Sequence, residues 1–167
     1  DGSYGYWFGG TQPNSAQSTT NSRLDFSNDT ATATPKGTLS TPLTFGSAFS
    51  GRENQFSDAG KVTDKGSDGY TNTYSSQGYG YWAGGQDPSM TSRMDRLDYA
   101  NDTATASRKG DLFDYVKTHG GASNLTHGYT FGGETSSYGS YSSVVGRVDY
   151  SNDTATAAMK GPLSAGR

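Results

Sequence analysis

Hydrophobic side chains in this chain come in short alternating runs, separated by glycine pairs and Asn-Asp turns. In the run from Tyr4 to Phe8, an extended strand places Tyr4, Tyr6 and Phe8 on one face and Gly5 and Trp7 on the other. The run stops at Gly9-Gly10, where glycine permits positive φ or a close backbone approach. Farther on, Leu24 and Phe26 alternate with Arg23 and Asp25, which predicts a second strand. Ser27-Asn28-Asp29 is turn chemistry, because Asn and Asp tolerate left-handed conformations and bond their own backbone. Thr30 to Thr34 then reads as a return strand, with Ala31 and Ala33 on one side.

This pattern occurs three times. The aromatic strand recurs as YGYWAGG from Tyr79 to Gly85 and as HGYTFGG from His127 to Gly133. The second half recurs from Arg96 to Phe113 and from Arg147 to Ser164, and Asn-Asp-Thr-Ala-Thr-Ala is the same in all three copies. The glycine pairs begin at 9, 84 and 132, so their spacings are 75 and 48. A period of about 48 residues with one insertion of about 27 accounts for both. The expected division is repeat one at 1–40, an inserted loop or hairpin at 41–68, repeat two at 69–113 and repeat three at 114–167. Gly69 to Tyr74 and Asp114 to Thr118 are further strand candidates, which makes about four short strands per period.

Composition narrows the class. Only 30% of the chain is hydrophobic, aromatics reach 13% and glycine takes 24 of the 167 positions. That is the profile of an all-β protein with a thin core. No run approaches the ~20 apolar residues of a membrane-spanning helix, so membrane insertion is not expected. The net charge is −3 and no basic block occurs, which argues against a nucleic-acid partner. With no Cys there is no disulfide, no Cys-based zinc site and no thiol nucleophile.

A four-stranded unit repeated every 40–50 residues is the mark of a β-propeller blade. The units are similar to kelch repeats: an aromatic strand ending in Gly-Gly, a variable loop, then strand-turn-strand closing with Gly161-Pro162-Leu163 and Arg167. They depart from kelch at the last strand, where Thr-Ala-Thr-Ala stands in place of the usual Trp. The wording RLDYxNDTATA followed by Lys-Gly also resembles repeats in large structural proteins of marine tailed phages, especially those of cyanobacteria. That resemblance implies a virion or extracellular location.

The repeat motif itself is carried by Gly9, Gly10, Gly84, Gly85, Gly132 and Gly133, and by the pairs Arg23 and Asp25, Arg96 and Asp98, Arg147 and Asp149. One reading of the Asn-Asp-Thr turns is a calcium site per unit; the other is a turn plus an Arg-x-Asp pair on one strand face. No run of alternating Asp supplies the six or more oxygens calcium takes, so neither metal nor cofactor is assigned. Asn28, Asn101, Asn152 and Asn124 sit in glycosylation sequons, which turn chemistry explains equally. Trp7, Trp82, Tyr81, Tyr129 and Phe131 would stack on sugars if exposed and form core if not, and Tyr138 and Tyr141 lie in a Ser-rich loop suited to recognition. No catalytic signature is present. The copper oxidases on kelch-like scaffolds use Tyr, His and Cys, and a chain with two His and no Cys matches them poorly.

Propellers close with four to eight blades, so three periods do not close alone. The expectation is a fragment of a longer propeller, an incomplete ring, or a homo-oligomer: two chains in a six-bladed ring, or a head-to-tail fibre. The expected function is a non-enzymatic structural or interaction protein of a virion or appendage, partnered by its own copies or other virion proteins. The alternative is a carbohydrate- or receptor-binding propeller that engages a host-surface glycan.

Overall fold

The computed structural model describes residues 4–51, 78–135 and 139–167. They are all-β, with three single 3-10 turns as the helical content among them. None of these turns is long or apolar enough to cross a membrane. Three antiparallel meanders follow the three copies of the motif, and none of the sheets is closed.

The first sheet orders β1 (Tyr4–Phe8), β2 (Thr20–Asp25) and β3 (Thr34–Thr38). The second begins with β4 (Ser47–Gly51), which pairs with β5 (Tyr79–Ala83). A small hairpin of β6 (Gln86–Asp87) and β7 (Ser89–Met90) follows the glycine pair. The sheet is completed by β8 (Arg93–Asp98) and β9 (Ser107–Asp111). After the two-residue strand β10 (Val116–Lys117), the third sheet starts with β11 (Gly120–Ser123) and β12 (His127–Phe131). Beyond β13 (Glu134–Thr135), which pairs with β10, it finishes with β14 (Val145–Asp149) and β15 (Ala158–Met159).

Three expectations are corrected here. The return strand does not begin at Thr30. Phe26–Asn28 forms a 3-10 turn, residues 29–33 bend without pairing in the sheet, and the strand starts at Thr34. The same shift moves the later return strands to Ser107 and Ala158. In units two and three this Thr-Ala-Thr-Ala run pairs with the preceding unit instead, as described below, and in unit one the same backbone path is kept with no earlier unit against it among the described residues. The span 41–68 is not all insertion either, because β4 within it is the first strand of the second sheet. The insertion therefore falls inside the β4–β5 connection, and residues 52–68 and the Gly69–Tyr74 strand candidate lie outside the described residues. Of the candidate strand from Asp114 to Thr118, only Val116–Lys117 pairs.

The core lies between sheets. One cluster joins Phe8, Leu39 and Leu43 of the first unit to Trp82, Leu97 and Ala106 of the second. The next joins Phe49, Tyr81, Met94 and Leu112 to Val148, Tyr150 and Ala157. Each sheet thus buries one face against its successor, and β-sheets gain stability by such face packing.

The glycine pairs make the crossings possible. Gly9, Gly84 and Gly132 have φ of 57°, 63° and 62°, and their partners Gly10, Gly85 and Gly133 have 106°, 102° and 93°. A Cβ on Gly9 or Gly84 would lie 2.7 or 2.6 Å from the carbonyl oxygen of Leu43 or Val116, in the segment leading to the next sheet. The strand ends and the outgoing chain meet backbone to backbone, which only glycine allows there.

His119 fills the space between two of these turns. It is 7% exposed, and neither ring nitrogen has a partner among the described residues. Burial pushes its pKa from 6.5 down to about 4. The unfolded chain therefore takes up a proton between those values that the folded chain refuses. Stability is full above about pH 6.5 and falls as pH drops toward 4, by about 3 kcal/mol from this group. His119→Leu is expected to flatten that limb, read by urea unfolding at pH 7, 5.5 and 4.5.

Candidate functional site: the junction between units

The residues of the repeat motif converge at the junctions between sheets. In each copy the Asp of Arg-x-Asp leaves the strand and caps the 3-10 turn, accepting from a backbone N–H two residues on. Asp25 accepts from Ser27, Asp98 from Ala100 and Asp149 from Ser151, at 2.8, 2.8 and 2.9 Å. This ordered turn presents the following Asp of the Asn-Asp-Thr run outward, toward the preceding unit.

At the first junction, Asp102 of unit two accepts from Arg23 Nη1 at 2.7 Å and from the Tyr6 hydroxyl at 3.1 Å, both from unit one. Lys36 Nζ stands 3.6 Å from its other oxygen. At the second junction, Asp153 accepts from Arg96 Nη1 at 2.7 Å and from the Tyr81 hydroxyl at 3.0 Å, with Lys109 Nζ at 3.6 Å. Both carboxylates are buried. The guanidinium of Arg23 also lies 4.2 Å over the Tyr4 ring, and that of Arg96 lies 4.0 Å over Tyr79. Burial, together with the Asp153 carboxylate, pushes the Tyr81 hydroxyl well above the usual phenol range, so it remains a donor. Burial works against the charge of Arg96, but Asp153 and Tyr81 outweigh it and hold its pKa above the ordinary value.

The backbone follows the same path. Gly37 N–H donates to the Asp102 carbonyl at 2.6 Å, and Ala106 N–H donates to Thr38 at 2.7 Å. Gly110 to Asp153 and Ala157 to Asp111 repeat these bonds at 2.8 Å each. A Cβ on Gly37 or Gly110 would collide with the carbonyl of Ala104 or Ala155. Above the carboxylate, Tyr6 stacks on Tyr99 with centroids 4.7 Å apart, and Tyr81 stacks on Tyr150 at 5.2 Å. Such pairs add about 1 kcal/mol beyond their buried area.

The expected Arg-x-Asp pair on one strand face is therefore corrected. Arg23 and Arg96 reach across to the next unit, and Asp25 and Asp98 serve the local turn. The functional residues missed in the sequence are Lys36, Lys109, Gly37 and Gly110, while Asp102 and Asp153 stood out only as carboxylates of the Asn-Asp-Thr turns. The signal was present as the sameness of Asn-Asp-Thr-Ala-Thr-Ala and Lys-Gly across all copies. The carboxylates suggested for calcium are engaged by cations at both junctions, and no cluster of three metal-ligating side chains occurs among the described residues.

Of the residues considered for ligand stacking, Trp82 is buried between sheets, as is Tyr81. Trp7 and Tyr141 expose their rings at 72% and 60%. Tyr129 and Phe131 are half-buried, and Tyr138 lies outside the described residues. Asn28, Asn101, Asn152 and Asn124 are all exposed. The Asn124 side chain accepts from the N–H groups of Thr126 and His127 at 2.9 and 2.8 Å, closing the β11–β12 hairpin.

No protein-family model matches the chain, and no curated protein matches it.

Asp153→Ala strips a buried carboxylate from two cations and a buried hydroxyl, so it is expected to cost about 3 kcal/mol. Asp29→Ala, at the equivalent but exposed position of unit one, is expected to cost at most about 0.5 kcal/mol. Chemical denaturation of both variants measures the difference. Gly110→Ala is expected to prise the second and third units apart, seen as accelerated hydrogen exchange at the amides of position 110 and Ala157 with the first junction still protected.

Proposed function

We propose that this chain is a non-enzymatic structural and interaction protein of a virion or extracellular appendage, working by assembly through its repeats. Its units are read as kelch-like blades. The observation that carries the reading is the junction. The same carboxylate, guanidinium, tyrosine, lysine and glycine occur at both, with the Arg–Asp distance at 2.7 Å in each. A motif whose most constant residues face the next copy of itself is one whose role is to join copies. The location in a virion rests on the likeness to phage structural repeats.

Two features support a non-enzymatic reading. His119 is sequestered without a hydrogen-bond partner among the described residues, and His127 bonds the neighbouring Thr126 hydroxyl at 2.8 Å. Two open cavities along the Arg-x-Asp strands, of about 200 and 210 Å³, are lined by Ala and Thr with one Arg, one Asp and one Asn each, and those Asp residues, Asp149 and Asp25, are committed to capping their own turns. A second reading, a receptor- or glycan-binding module, draws on the exposed rings of Trp7 and Tyr141.

Light scattering with electron microscopy of the same sample tests the first reading. Rings or fibres of several chains are the expected result, and a monomer at every concentration overturns it. Tryptophan fluorescence that responds to host-type glycans, without assembly, would favour the second.

A further inference from the structure

The two junctions are internal copies of one interface, and each end of the described structure presents one half of it unused. Unit one turns outward Phe26, 54% exposed, and Asp29, also exposed. These occupy the positions of Tyr99 and Asp102, and of Tyr150 and Asp153, in the later units. Unit three offers Tyr129, Arg147 and Lys160, at the positions of Tyr6, Arg23 and Lys36. Among the described residues, neither Arg147 nor Lys160 has a side-chain hydrogen bond or ion pair, and neither does Asp29.

Gly161 makes the case sharper. Its counterparts Gly37 and Gly110 are glycine because a carbonyl of the next unit occupies the place of a Cβ. At Gly161 nothing lies within 4 Å of that place. The chain keeps a docking notch there with nothing in it.

We propose, building on the structural reading above, that a second copy of this chain docks head to tail at this notch. Its Asp29 enters between Arg147, Lys160 and the Tyr129 hydroxyl, its Phe26 stacks on Tyr129, and its Ala31 carbonyl seats on Gly161. The charges are complementary, and the contact continues the sequence of junctions already formed within the chain. Trp7, 72% exposed on the same outer face, is covered as Trp82 is against Phe8 at the first junction. Such a heterologous contact propagates, giving a ring if its rotation closes and a filament if it does not.

Two variants of the full chain test this by sedimentation velocity over a range of concentrations. Asp29→Arg disables only the head, and Gly161→Val disables only the tail. Both sites face open space, so thermal unfolding of each variant is expected to match that of the parent. Each variant alone is expected to lose self-association by roughly 100-fold or more. Mixed together they are expected to form dimers and stop there, since one supplies a working head and the other a working tail. If the parent assembles and both variants assemble equally well, this contact is overturned while the structural function stands. If the parent stays monomeric throughout, both are overturned.

Discussion

Everything in this molecule is organised around a carboxylate that one unit inserts into the unit before it. Asp102 and Asp153 leave water at a cost, and that cost is offset only if their oxygens meet well-placed donors. A guanidinium, a phenol and an ammonium supply them, all from the preceding sheet. Hydrophobic contact is non-directional, and a chain with 30% hydrophobic residues has little of it to spare. Directional bonds to a buried charge therefore set how one sheet is aligned on the next.

Other features follow from that constraint. The 3-10 turn exists to aim the carboxylate, which is why the strand's last Asp caps it. The Lys-Gly step lets the backbone of the next unit come within hydrogen-bond distance of the strand it grips. The aromatic stacks close the apolar side of the same bracket, with Tyr6 on Tyr99 and Tyr81 on Tyr150.

The aromatic strands and the glycine pairs were legible because their signals are local: alternation, and a residue type with special backbone freedom. Thr-Ala-Thr-Ala misled for the same reason. Its alternation looks like a strand of its own unit, yet its partners are on another. Arg23 and Asp25 invited pairing through closeness in sequence, whereas the partner of Arg23 is Asp102. Trp7 and Trp82 hold the same place in the motif, and only the presence of a preceding sheet makes one exposed and the other buried. A single repeat cannot reveal an interface made of two, although sameness among the copies marked which residues would form it.

The hairpin that opens each later sheet has one more consequence. Residues 52–78 separate β4 from β5, and only residues 124–126 separate β11 from β12. Lengthening a loop by that factor costs only about 2 kcal/mol in closure entropy. The hairpin tip lies at the opposite end of its strand from the glycine crossing, and its last residue, Gly78 or Thr126, already accepts from the N–H of Tyr99 or Tyr150 at 3.1 Å, which anchors the base of the loop. It is therefore a graft point, where a peptide epitope or a small folded insert of foreign origin can be carried at regular intervals without re-engineering the stack that displays it.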